Sequence, residues 1–298
     1  MAGAAAVPDP GRGTASWGQA GAAVRPLIPA SVYGAVFFAV PMAGLLVLSF
    51  WRSQGFELIA DFSLESYEKI ATSPLYQALA LRTVVIGLVT TAIVVPMAFA
   101  LSYVMRFVLE RRAQLILQLA LVSLFSGYLV RIYAWRTILG KQGLLNSALE
   151  WLGIIDEPLE FLIYSNLATV ITLTGLLLPL AVLPIYSAMA NISPQHLEAA
   201  RDLGSRRLHL IRTILVPMAL PGIRSAFAFT FLLAAGDFVT PSLVGGTQGM
   251  MIGNVIAEQF RGIGSNWPLG AALAFVTMGV VLAIYFAVMR AVRWAASW

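Results

Sequence analysis

A short polar stretch, Glu198-Ala199-Ala200-Arg201-Asp202-Leu203-Gly204, is followed ten residues after its glycine by Ile214-Leu215-Val216-Pro217. It lies between two apolar stretches that are each long enough to cross a bilayer. A stretch with these charges must lie in water on one face of a membrane, because ionised side chains are costly inside it. Its carboxylates, small residues and glycine suit docking to a soluble partner rather than chemistry.

The composition indicates a membrane protein without a catalytic centre. Of the 298 residues, 59% are hydrophobic and 11% are charged, whereas charged residues make up about a quarter of a soluble domain. The absence of cysteine excludes disulfides, thiolate catalysis and cysteine-ligated metals. The two histidines, His196 and His209, lie in the polar stretch without a carboxylate cluster, so we expect no metal site. The basic residues are spread between apolar stretches, so we expect no nucleic acid as a partner.

The first 25 residues differ from the rest of the chain. They are rich in Ala, Gly and Pro and show no apolar periodicity, which predicts a disordered tail. A cleaved signal peptide fits less well, because the apolar run that follows is longer than the ~7–15 residues of a signal core. We therefore predict a transmembrane domain over residues 26–298.

Six apolar stretches meet the requirement of about 20 residues for a transmembrane helix. They are residues 27–50, 83–105, 113–135, 165–189, 222–244 and 268–289. Several contain prolines, which membrane helices tolerate where neighbours satisfy the freed backbone groups. The sequence therefore predicts an all-α membrane protein of six transmembrane helices, some of them kinked around a cavity.

The distribution of Lys and Arg predicts the orientation of these helices. The side that contains both termini and the 106–112 and 190–224 segments carries twelve basic and four acidic residues, whereas the other side carries seven basic and ten acidic residues. Positive charge is enriched on the cytoplasmic side of membrane proteins. We therefore expect both termini and the polar stretch in the cytoplasm.

The connections on the other side are longer than turns. Residues 63–67 and 144–152 are typical of short amphipathic helices with aromatic anchors, and residues 245–267 are rich in glycine. These connections either contact a partner outside the membrane or cap the helix bundle.

Residues 193–217, called here the polar segment, predict two short helices joined by a turn. Ser193-Pro194 is a typical helix start, with Ser as the N-cap and Pro at the first position. Spacing places Leu197, Ala200, Arg201 and Gly204 on one helix face, where the small residues would let a partner approach closely. Gly204 also permits a turn with positive φ. A second helix is expected to end before Pro217. The alternative is an ordinary interfacial loop in which Glu198 pairs with Arg201.

Asp237 is the acidic residue predicted to lie inside an apolar span, so it is a candidate for the path of a cationic solute. Alternatively, Asp237 pairs with Arg131 or Arg136. Arg131, Tyr133 and Trp135 near the outer end of the third span are further candidates, although aromatic residues at this position are often interfacial anchors.

Glu198-Ala199-Ala200, Gly204, Ile214 and Pro217 together resemble the cytoplasmic signature of the permeases of binding-protein-dependent ABC importers, with Val216 in place of the usual leucine. The signature lies between the fourth and fifth of six spans, as it does in that family. Further stretches resemble the spermidine/putrescine permease subfamily over most of residues 27–290. These stretches are residues 129–135, 143–146, 151–156, 253–256 and 267–272.

The resemblance implies the type I ABC importer permease fold and a multi-pass protein of the bacterial inner membrane. It implies a second homologous permease, an ATPase dimer at the cytoplasmic face that carries ATP and Mg, and an extracytoplasmic solute-binding protein, with membrane lipid around the helices. The chain itself is then not an enzyme and holds no cofactor, and its solutes are polyamine-like or other small organic molecules. The residues implied for ATPase coupling are Glu198, Ala199, Ala200, Asp202, Gly204 and Pro217. The alternative is a secondary transporter of a small cation that works without an ATPase.

Overall fold

The computed structural model describes residues 27–54, 57–109, 112–202, 204–261 and 264–295. The predicted disordered tail, residues 1–25, lies outside the described residues. The chain divides into two compact units, Met1–Leu48 and Ser49–Trp298, which are described separately. In the first unit, helix α1 (Leu27–Gly34) continues through a π-helical turn (Ala35–Ala39) into α2 (Val40–Leu48).

The second unit is mainly helical. Its helices are α3 (Glu65–Thr72), α4 (Pro74–Val104), α5 (Ala113–Phe125), α6 (Tyr128–Leu139), α7 (Leu144–Trp151), α8 (Asn166–Ala190), α9 (Pro194–Asp202), α10 (Arg207–Leu210), α11 (Val216–Gly236), α12 (Ile252–Arg261) and α13 (Trp267–Ala295). Further helical turns are Met105–Leu109, Glu160–Leu162, Ile211–Leu215 and Pro241–Gly245. A small antiparallel hairpin joins β1 (Arg52–Gln54) to β2 (Glu57–Ile59), with Arg52 opposite Ile59.

The predicted spans correspond to helices, with differences at their ends. Within the described residues, the apolar helices long enough to cross a membrane are Ser31–Leu48, Pro74–Leu109, Asn166–Ala190, Ile211–Gly236 and Trp267–Trp294. The apolar helix of the fifth span thus begins and ends earlier than the predicted residues 222–244. The all-α prediction is confirmed apart from the hairpin, whose three-residue strands are too short for an alternating pattern.

The third predicted span, residues 113–135, is not one straight helix. It is divided between α5 and α6, which meet at an angle of 100° around Ser126 and Gly127. Hydropathy does not reveal this break, because the two sides together are apolar enough to pass for one span. Because of this bend, α6 runs away from the axis of α5, and Tyr128 is the first residue of α6.

Helices α4, α8 and α11 form the centre of the second unit, where they pack most extensively against one another. Small residues allow these close contacts. A Cβ atom at Gly222 of α11 would lie 2.4 Å from the carbonyl oxygen of Pro184 and 2.7 Å from Cβ of Ala188 in α8. Glycine at this position therefore sets the distance between the two helices that flank the polar segment.

Candidate coupling surface and solute cavity

The first helix of the polar segment, α9, starts where the sequence predicts. The Ser193 hydroxyl accepts a hydrogen bond of 3.3 Å from the backbone N–H of Gln195, as an N-cap residue does. Leu197 is 5% exposed and belongs to the main hydrophobic core, together with Ile192 and Leu215. Glu198 and Asp202 point away from this core and are exposed. Helix α9 is thus anchored in the core through Leu197 and presents its carboxylates to water.

This arrangement corrects the predicted docking face. Leu197 does not share a free surface with Gly204, because burying its side chain in the core is more favourable than exposing it. The exposed face instead contains Gln195, Glu198 and Asp202, which follow a spacing of three and four residues. Ala200 is half-buried. The backbones of Ala199 and Arg201 are helical, while their side chains lie outside the described part of the structure.

Gly204 ends α9 in the conformation that the sequence predicts. Its φ is +80°, and the N–H of Ser205 donates a 3.1 Å hydrogen bond to the carbonyl of Ala200. This combination is a Schellman C-cap, which favours glycine because other residues are strained at positive φ. A Cβ atom at Gly204 would have no neighbour within 4 Å. The position therefore demands glycine for its backbone conformation and leaves the space in front of it open.

The prediction that the second helix ends before Pro217 is wrong. Helix α10 runs through the π-helical turn Ile211–Leu215 directly into α11, and Pro217 lies in the first turn of α11. The N–H of Val216 bonds to the carbonyl of Ile211, five residues back. This wider turn accommodates the proline ring, which would otherwise clash with the preceding helical carbonyls. The polar segment is therefore continuous with the fifth span.

The polar segment is also tied to the ends of other spans. Met105 at the end of α4 and Met189 at the end of α8 lie in the same hydrophobic core as Leu197. In addition, the Arg106 guanidinium donates a 3.1 Å hydrogen bond to the carbonyl of Ile192. A displacement of α9 would thus move the ends of α4, α8 and α11 together.

The second candidate site surrounds Asp237, which lies directly after the last residue of α11. Its Oδ1 accepts hydrogen bonds from the N–H groups of Val239 (2.8 Å) and Thr240 (3.2 Å). Its Oδ2 accepts a 2.5 Å hydrogen bond from the Tyr128 hydroxyl, which also lies 3.1 Å from Thr240 Oγ1. Asp237 therefore satisfies backbone donors where the fifth span is interrupted, as the interior of a membrane requires.

This interruption lies near the middle of the bundle. Gly236 lines a cleft together with Thr277 and Val281, which are central in the candidate span Trp267–Trp294. The Asn254 amide of α12 donates a 2.8 Å hydrogen bond to the Phe238 carbonyl on the other side of the interruption. We call residues 236–240, with Tyr128 and Asn254, the Asp237 junction.

The predicted ion pair of Asp237 with Arg131 or Arg136 does not form. Within the described residues, neither arginine has a carboxylate within 4 Å. Arg131 instead donates a 3.3 Å hydrogen bond to the Leu176 carbonyl, and its guanidinium carbon lies 5.9 Å from the centre of the Tyr128 ring. The Nε atom of Arg131 is buried without a hydrogen-bond partner among the described residues. Helix packing directs Arg131 toward Tyr128 and α8 rather than toward the carboxylate.

Asp237 and Arg131 line the same cavity of about 380 Å³. The remaining walls are provided by Tyr128 and by leucines of α5, α8 and α11. The cavity thus combines one carboxylate and one guanidinium with apolar walls, which is the composition of a small-molecule site.

The other two candidates for the solute path lie elsewhere. The Trp135 ring packs against Gly175 of α8, where an added Cβ atom would lie 2.3 Å from the ring. Tyr133 is 50% exposed and lines a separate cavity of about 490 Å³ with Arg136 and Tyr164. The structure therefore brings Asp237 together with Arg131, but with neither Tyr133 nor Trp135.

Sequence reasoning missed three residues that build these sites. Tyr128 lies in the third predicted span, where aromatic residues are often interfacial anchors, although it is the hydrogen-bond donor to Asp237. The Gly222 contact had a local signal in the Pro221-Gly222 pair, and Asn254 had one in the stretch that resembles the polyamine subfamily. None of these signals identifies the spatial partner, because each partner lies on a different helix.

Comparison with known proteins is consistent with this architecture. Residues 28–295 match the family described as binding-protein-dependent transport system inner membrane component. The spermidine/putrescine transport system permease protein PotB of Salmonella typhimurium (strain SL1344) is 34% identical over 232 residues, which cover 77% of this chain and 80% of PotB. A bacterial ABC transporter for import of the acidic polysaccharide alginate has a chain with the same fold (TM-score 0.74, 16% identity, 93% and 96% of the two chains). The alginate transporter bound to a periplasmic protein carrying an alginate pentasaccharide gives a TM-score of 0.73 at 16% identity, over 90% and 93% of the chains.

Proposed function

We propose that this chain, which belongs to the family of inner membrane components of binding-protein-dependent transport systems, uses its polar segment to couple a separate ATPase to the opening of a solute pathway. The chain is a multi-pass permease subunit of an ABC importer in the bacterial inner membrane. Family membership thus decides against a secondary transporter that works alone. The coupling role, the partners and the solute are the steps that we add.

The observation that carries the coupling role is the arrangement of α9. Glu198 and Asp202 are exposed, while Leu197 of the same helix is buried in the core that joins α4, α8 and α11. A soluble subunit that binds the carboxylates would therefore move three spans as a rigid body, which is a common form of transport switching. We propose that the partner is an ATPase dimer, which carries ATP and Mg.

A charge reversal at the exposed face tests this role. Glu198→Lys should prevent co-purification of the ATPase and reduce solute uptake at least tenfold, because a reversed charge repels the complementary partner surface. Glu57→Lys is the matched control, since it reverses an exposed glutamate of the hairpin. Normal ATPase binding and uptake by Glu198→Lys would contradict the coupling role.

The coupling role also requires that the polar segment lies in the cytoplasm, as the charge distribution predicts. The chain contains no cysteine, so single cysteines can be introduced without removing native ones. In intact spheroplasts, a membrane-impermeant maleimide should label Glu57→Cys and leave Glu198→Cys unlabelled until the membrane is opened. The reverse pattern would contradict the orientation.

We propose that the complete pathway requires a second homologous permease and an extracytoplasmic solute-binding protein. The similar alginate transporter is described in complex with a periplasmic protein, which supports the second of these partners. The exposed side of the 380 Å³ cavity supports the first, because a single chain does not enclose it. Reconstituted alone, the chain should neither hydrolyse ATP nor accumulate solute, and concentrative uptake by the isolated chain would refute this proposal.

For the solute, we propose polyamine-like cations. PotB, the similar permease, is named for spermidine and putrescine, and the cavity contains the carboxylate of Asp237 beside the Tyr128 ring. Arg131 lines the same cavity, so the charges of Arg131 and Asp237 nearly cancel. The binding protein must therefore supply most of the selectivity for the solute. Uptake of labelled spermidine and putrescine by the assembled transporter tests this proposal, and uptake of neither compound would refute it.

A further inference from the structure

A cleft of about 250 Å³ between α11 and α13 contains two arginines from different helices. Arg224 of α11 and Arg293 of α13 line it together with aromatic and small residues, and none of the lining residues carries a carboxylate. In the described part of the chain, no carboxylate lies within 4 Å of either arginine. The cleft therefore holds positive charge that the described residues do not balance.

Arg224 has a further unmet requirement. Its Nε atom is buried, and it has no hydrogen-bond acceptor among the described residues. The guanidinium stays charged at any physiological pH and donates in five directions. Because a buried donor without an acceptor is unfavourable, a bound molecule that supplies an acceptor would be stabilised at this position.

The length of α13 places these arginines at the depth of lipid headgroups. Arg293 follows Trp267, the first residue of α13, by 26 residues, which corresponds to roughly 39 Å at the helical rise of 1.5 Å per residue. The hydrocarbon core is about 30 Å thick, so the end of α13 extends beyond it. Arg224 lines the same cleft and therefore lies at a similar depth, near the end of the bundle that carries the polar segment.

The deeper part of the cleft is apolar. Tyr285 precedes Arg293 by eight residues, or roughly 12 Å along the helix. Phe286 and Phe229 line the same cleft and are 63% and 50% exposed. Positive charge at headgroup depth above exposed aromatic rings is the pattern of a phospholipid-binding site. The charge would contact the anionic head, and the rings would contact an acyl chain. A free phosphate would use only the charged part of this pattern.

We propose that the cleft binds an anionic phospholipid, with Arg224 and Arg293 holding the headgroup phosphate and the aromatic rings contacting the acyl chain. Basic pockets between helices are suited to such headgroups. The residues that line this cleft belong neither to the polar segment nor to the Asp237 junction.

The test measures the thermal stability of the assembled transporter in detergent while phosphatidylglycerol is added. The wild-type melting temperature should rise by a few degrees more with phosphatidylglycerol than with phosphatidylcholine, because a ligand that binds the folded state stabilises it. The Arg224→Gln, Arg293→Gln double variant should lose most of this difference. The Arg224→Lys, Arg293→Lys variant keeps the charges and should retain part of it, which separates lipid binding from a folding defect.

Arg212→Gln is the matched control, because it removes an exposed arginine at the same end of the bundle without altering the cleft. It should respond to phosphatidylglycerol as the wild type does. An unchanged lipid response in the double Gln variant would overturn the proposal. So would a full response to inorganic phosphate, or loss of a co-purified second permease from the double variant, which would identify a protein as the occupant.

Discussion

The polar segment and the Asp237 junction both carry carboxylates between long apolar helices, but they differ in how those carboxylates are used. Glu198 and Asp202 are exposed to solvent and available to a partner. Asp237 is half-buried and accepts three hydrogen bonds from the chain itself. Water can satisfy a charge at the surface, whereas the membrane interior offers no solvent, so the protein must supply the donors. Substitutions in the junction should therefore reduce stability, and those on the polar segment should reduce transport.

The tight contact between α8 and α11 should give the largest loss of stability. Gly222→Val places a side chain where a Cβ atom would already lie 2.4 Å from the Pro184 carbonyl. Overpacking of this kind costs about 1–3 kcal/mol or more, so the melting temperature in detergent should fall and uptake should fall with it. Gly279→Val in α13 is the control, because a Cβ atom there has no neighbour within 4 Å. Equal effects of the two substitutions would contradict the close packing.

Removing the carboxylate of Asp237 should have the next largest effect. Asp237→Ala leaves the N–H groups of Val239 and Thr240 without acceptors, which should cost about 2 kcal/mol. Asp237→Asn keeps an acceptor oxygen and should be nearly as stable as the wild type, so its uptake reports on charge alone. Thermal denaturation and polyamine uptake of both variants separate the two roles. Equal stability of the Ala variant and the wild type would show that the carboxylate does not support the interruption.

Local chemistry in the sequence was sufficient to predict the start of α9 and the turn at Gly204. Ser193-Pro194 and Gly204 act on neighbouring backbone groups, so their effect is visible without a fold. The Tyr128–Asp237 hydrogen bond joins residues 109 positions apart and depends on the 100° break between α5 and α6. Nothing in the apolar pattern of residues 113–135 specifies that break. For the same reason an ion pair with Arg131 was a reasonable hypothesis, since partners inside a bundle follow from packing.

Two substitutions at Gly204 separate the effect of backbone strain on stability from the effect of docking on transport. Gly204→Val should cost about 1–2 kcal/mol, since a residue with a branched side chain is strained at φ +80°. Gly204→Asn adopts this conformation at lower cost but fills the open space in front of the helix. If the partner approaches closely at Gly204, both variants should lose uptake, while only the Val variant should lose stability. Full uptake by the Asn variant would limit the role of Gly204 to the turn.

The smallest effect is expected for Tyr128→Phe, which removes one hydroxyl and leaves the ring in place. Asp237 keeps both backbone donors, so the loss should be about 1 kcal/mol, the net value of one hydrogen bond. Because the ring remains beside Arg131 and the cavity keeps its size, uptake should fall less than in Asp237→Asn if the charge of Asp237 attracts the solute. Comparing the double variant Tyr128→Phe, Asp237→Asn with the two single variants measures the coupling free energy between the two side chains. Strictly additive losses of stability would show that their 2.5 Å hydrogen bond contributes nothing, and the junction would then rest on the backbone contacts of Asp237 alone.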